Sequence, residues 1–84
     1  MKHFDAVVTD IRLESRTGTE AVWWMSLDPT GFGVGDTGFL EAVTRSGTRL
    51  EIPVTGVVED ADGVIWHVVE KPLAAGTDVH GTVG

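Results

Sequence analysis

Three histidines, thirteen acids and no cysteine are the side chains from which this chain could build chemistry. His3, His67 and His80 lie far apart, and no pair has the short spacing by which two imidazoles reach one zinc ion. With no thiolate to add, no metal site is expected. His67 carries most interest because it sits inside Val64-Ile65-Trp66-His67-Val68-Val69, a β-branched and aromatic run that suits a strand. As a general base it would need an acidic partner, and Glu41, Glu59 and Glu70 are candidates that spacing alone does not separate. A hydrogen-bonded core histidine and a histidine lining a cleft both fit. No Gly-x-Ser-x-Gly or comparable nucleophile motif is present. A catalyst is therefore not the first expectation, and no cofactor is implied.

Two other motifs look like ligand loops and fail on context. Gly33-Val34-Gly35-Asp36-Thr37-Gly38 has the glycine spacing of a dinucleotide loop. No helix of useful length follows before Ser46-Gly47, and no βαβ unit fits in the chain. The glycines are expected to serve a loop that visits positive φ, with Phe32 beside it covering the core or meeting a partner. Asp60-Ala61-Asp62-Gly63 sets carboxylates at alternate positions, as a calcium loop does. Valine occupies positions 58 and 69, where the first and last ligands would stand, so a hairpin turn is the expected role.

The elements that must position these residues read as strands. Hydrophobic periodicity nominates six: residues 4–13, 20–27, 39–45, 49–59, 64–71 and 77–83. In the first, Val7, Ile11 and Leu13 should share a face, and residues 14–19 should turn. Asp28-Pro29-Thr30-Gly31 should end the second strand. The third and fourth should pair around Ser46-Gly47, setting Val43 against Leu50 and Ala42 against Glu51. Pro53 and Gly56 predict an edge, bend or bulge in residues 49–59. No convincing helical period, internal repeat or linker is present. The fold expected is all-β, one domain over residues 1–84, a small antiparallel barrel or compact sandwich of about six strands.

Two strands are apolar on both faces. In residues 64–69, Val64, Trp66 and Val68 point one way while Ile65, His67 and Val69 point the other. In residues 20–27, Ala21, Trp23, Met25 and Leu27 oppose Val22, Trp24 and Ser26. Such strands need cover on both sides. In a chain of 84 residues without disulfides, a second copy is one source of that cover. The leading expectation is a non-catalytic, self-associating interaction module, with Trp24, Phe32, Val22 and Ile65 as interface candidates. A small-molecule barrel with a site near His67, Trp66 and Glu70 is the alternative from a different class.

Charge bounds the partners. The formal net charge is −7. Residues 57–84 hold five acids, Glu59, Asp60, Asp62, Glu70 and Asp78, against Lys71 alone. That balance disfavours nucleic acid and anionic membranes. It leaves a third reading, an acidic inhibitor of a basic protein. There is no apolar run long enough to span a membrane and no signal-peptide pattern near Met1, so a cytoplasmic location is the expectation.

Overall fold

The computed structural model describes residues 2–43 and 46–84. It is all-β: β1 (Lys2–Thr17), β2 (Glu20–Asp28), β3 (Gly38–Val43), β4 (Arg49–Val54), β5 (Gly56–Glu59), β6 (Ile65–Val69) and β7 (Asp78–Val83). The strands form one antiparallel sheet in the order β4-β3-β7-β1-β2-β6-β5. No helix occurs among the described residues, so none is long and apolar enough to cross a membrane.

The sheet's two edge strands, β4 and β5, are separated in sequence only by Thr55. One residue bridges only a few ångströms, so the sheet must curl until its edges meet. The result is a half-barrel. The segment 49–59, expected as one strand, is two: β4 pairs with β3 and β5 pairs with β6. Thr55 makes the exchange, its N–H donating to the Val68 carbonyl at 3.0 Å. Pro53 and Gly56 flank the switch, in accord with the bend expected there. Seven strands therefore stand among the described residues, where about six were expected.

The inside of the curl holds the core. Ala6, Val8, Met25, Leu27, Leu40, Ala42, Ile52, Val54, Val57, Val69 and Val79 are buried there, with Phe32 supplied by the loop after β2. Burial of such side chains is the main stabilising contribution in a chain with no cross-link. Two close approaches depend on glycine. Gly81 lies under the Phe4 ring, where a Cβ would overlap it. Gly38 backs onto the Thr82 carbonyl and has no room for a side chain.

Three local expectations are corrected by packing. The β3–β4 register pairs Ala42 with Leu50 and Val43 with Arg49, one residue away from the expected alignment. Only this register sets inward-facing Leu40 against inward-facing Ile52, and a one-residue slip would turn one strand's apolar set outward. Positions 44 and 45, the expected end of the third strand, lie outside the described residues. The turn expected over 14–19 shrinks, because β1 continues to Thr17 and Gly18 takes positive φ. Val7 does not share a face with Ile11 and Leu13. The β1–β2 register shifts between Val8 and Asp10, a bulge that reverses parity. Ala6 and Val8 face inward before it, and Ile11 and Leu13 face inward after it.

Candidate interaction surface

His67 is placed by β6 opposite Met25 on one side and Val57 on the other. It is 0% exposed. Its Nδ1 lies 2.7 Å from the Met25 carbonyl oxygen, which can only accept, so Nδ1 carries the proton. Nε2 is then the acceptor, and the Thr30 hydroxyl donates to it at 2.7 Å. Thr30 Oγ1 in turn accepts from the Phe32 N–H at 3.1 Å. The Phe32 ring packs edge-on against the imidazole, with centroids 5.3 Å apart, and meets Phe4 the same way. Burial holds the His67 pKa below its ordinary value, partly opposed by the bond to Met25. This is a neutral histidine with both nitrogens committed. It ties β6 to β2 and to the loop that carries Phe32, and no ring atom is open to a substrate.

The acidic turn is equally committed. Asp60 Oδ1 accepts from the N–H groups of Asp62 and Val64, both at 2.9 Å, and Oδ2 accepts from Trp66 Nε1 at 2.8 Å. Those donors, the Trp66 indole first, hold the Asp60 carboxyl below its ordinary pKa. Its oxygens are occupied by the turn and the neighbouring tryptophan. No group of three or more acids and histidines among the described residues is arranged for a metal ion. The glycine loop is likewise tied down. Asp36 accepts from Gly33 N–H at 2.8 Å, and Gly35 N–H donates to Val57 of β5 at 3.1 Å. The loop therefore covers part of the β5 edge and presents no helix terminus to a phosphate.

The residues nominated as an interface divide between two faces. Phe32 and His67 are enclosed, and Ile65 packs half-buried against the core. Of the two roles expected for Phe32, the core one fits its place, with its ring between those of Phe4 and His67. Trp24 and Val22 lie half-buried on the outer face. There Trp24 leans on Trp66 with centroids 6.1 Å apart, and the Arg12 guanidinium covers it at 5.6 Å. The second face of β6 is therefore covered from within the chain, by a small outer cluster of Arg12, Trp24, Trp66 and Asp60.

The acids of residues 57–84 do not share one face. Glu59, Asp60 and Asp62 gather at the β5–β6 turn, Glu70 follows the opposite end of β6, and Asp78 begins β7. A different acidic surface exists that sequence spacing did not reveal. Cross-strand pairing sets His80 between Asp5 and Glu41, with His80 Nδ1 2.9 Å from Asp5 Oδ1. Asp28 and Asp78 flank this row in an open depression of about 600 Å³. Its members come from four strands, so only the strand order brings them together.

The β1–β2 ribbon is the surface that the curl leaves bare. β1 pairs with β7 only as far as Val7, and β2 pairs with β6 only over Trp23–Met25, leaving Glu20–Val22 without it. Beyond those points the two strands have only each other. Every residue from Thr9 to Glu20 is exposed. On the inner face Ile11 is 36% and Leu13 45% exposed, beside half-buried Trp23 and Ala21. The signal in sequence was the length of the alternating run from Val7 to Leu13. What sequence lacked was the point at which β7 ends. No family model, curated protein or solved structure matches this chain.

Proposed function

We propose that this protein is a small non-catalytic interaction module that associates with itself through the projecting β1–β2 ribbon. The observation that carries this is the bare inner face of that ribbon, with Ile11 and Leu13 exposed beside Trp23 while the rest of the sheet is curled over its core. Contiguous exposed apolar side chains, unlike scattered single ones, are the kind of surface that contact sites present. A second copy would add apolar burial to a chain whose own core is small and has no disulfide. The enclosed, hydrogen-bonded His67 speaks against an acid–base site in the half-barrel.

Sedimentation velocity across the micromolar range tests the reading. Wild type should sediment above the monomer, and Leu13→Ser should remain monomeric with its fold intact, because Leu13 lies outside the buried core. A wild-type chain that stays monomeric up to roughly 100 μM, weaker than most specific interfaces, would refute self-association.

A further inference from the structure

We infer that a second copy of this chain adds to the sheet along the free edge of β1, antiparallel, with Leu13 on the two-fold axis; the inference rests on the self-association proposed above. An unpaired strand edge is a template for another strand. The other edges are short or occupied. β5 spans four residues and takes a hydrogen bond from the glycine loop, and β4 carries Pro53. β2 lacks a β6 partner only over two three-residue stretches, Glu20–Val22 and Ser26–Asp28. The β1 edge is the long one. Val8 is still engaged through both its N–H and its carbonyl with residues 76 and 77, so the edge runs from Thr9 to Thr17.

Symmetry and charge select the register. A two-fold axis perpendicular to the sheet keeps each side chain on its own face, so opposed residues must have numbers of equal parity. Placing the axis at Leu13 uses the whole free edge, since Leu13 is the midpoint of Thr9–Thr17. It sets Arg12 opposite Glu14 twice and Leu13 opposite Leu13; Ser15, past the register shift, joins Val22 on the outer face and is not matched to inward-facing Ile11. Arg12 and Glu14 both lie on the outer face, where they already pair within one chain at 3.4 Å. Across the axis the four groups would alternate in sign. Moving the axis to Arg12 opposes Arg12 to itself and Asp10 to Glu14. Moving it to Glu14 opposes Glu14 to itself. Both place like charges face to face, which destabilises a strand pair. Axes at Ile11 or Ser15 avoid this but leave nearly half of the edge unpaired. In the chosen register Asp10 and Arg16 are also of opposite sign, but the register shift after Leu13 turns Arg16 to the other face, so selection rests on Arg12 and Glu14. The inner faces of the two ribbons then continue one another, bringing the two Leu13 side chains together and covering part of the apolar surface.

Charge reversal tests the register directly. Arg12→Glu and Glu14→Arg should each weaken self-association by about tenfold or more, since each opposes like charges at two symmetric sites. A one-to-one mixture of the two variants should restore a dimer, because every opposed site again carries opposite charges. The double variant Arg12→Glu/Glu14→Arg should restore it also. Because Arg12 packs over Trp24, hydrogen exchange on the wild type supplies a readout free of substitution: amides of residues 9–17 should gain protection as concentration rises. A wild type that is monomeric would end both this inference and the self-association reading. A wild type that dimerises while the single variants dimerise equally well, or without concentration-dependent protection of residues 9–17, would overturn the β1 seam and leave self-association standing on another surface.

Discussion

Acidification from neutral pH to about pH 5.5 should destabilise this protein through His67 alone among its core groups. The imidazole is neutral and fully buried, with Nδ1–H donating to the Met25 carbonyl and Nε2 accepting from Thr30. Its pKa in the folded chain lies below the ordinary value of 6.5 that it recovers on unfolding. Below about pH 6.5 the unfolded chain therefore binds a proton that the native chain refuses, and stability falls as pH falls. Above that pH both states are neutral at this position and the contribution is level. The slope approaches about 1.4 kcal/mol per pH unit, so the loss by about pH 5.5 is up to roughly 1.4 kcal/mol. For a domain of this size the full loss lowers Tm by about 6–11 °C. Denaturant unfolding at a series of pH values measures it, with His67→Gln as the control. Glutamine can donate to Met25 and accept from Thr30 but does not titrate. The variant should lose about 1–3 kcal/mol from imperfect packing against Phe32, and its stability should be nearly level over this pH range. A variant that keeps the wild-type slope, or a His67 imidazole that titrates by NMR at or above 6.5, would refute the assignment of a neutral, closed histidine.

Thr30→Val keeps the shape but leaves His67 Nε2 without its donor and the Phe32 N–H without its acceptor, so unfolding free energy should drop by about 1–3 kcal/mol in urea titration. Gly38→Ala drives a Cβ against the Thr82 carbonyl, and its cost should be about 1–3 kcal/mol or more by thermal melting. Asp60→Ala removes the acceptor of the Trp66 indole and of two turn amides. It should lower Tm, and because the Asp60 pKa is depressed in the fold it should also remove part of the stability that wild type loses as pH falls below about 3.8. Leu13→Ser should leave monomer unfolding nearly unchanged, within about 0.5 kcal/mol, while abolishing association in the sedimentation assay.

The sequence by itself determined the all-β class, the strand cores and several turns. Alternating β-branched runs and well-placed glycines report on a residue's nearest chain neighbours, and so do turn chemistries such as Asp60–Gly63, whose carboxylate bonds its own backbone two and four residues on. The two-sided character of β6 was legible for the same reason, though not what covers its outer face. Tertiary structure decided everything that depends on residues distant in sequence. Parity along β1 could not be read past a bulge, because a bulge arises from how β1 must fit β2 and not from its own composition. The partners of His67 are Thr30 and Met25, 37 and 42 residues away, and neither is an acid. Once both nitrogens were committed to them, the histidine became a structural link between strands. The row of Glu41, His80 and Asp5 likewise exists only because β7 inserts between β3 and β1. Where β7 ends relative to β1 is set by sheet order and curl, and that end leaves Thr9–Thr17 with an open edge.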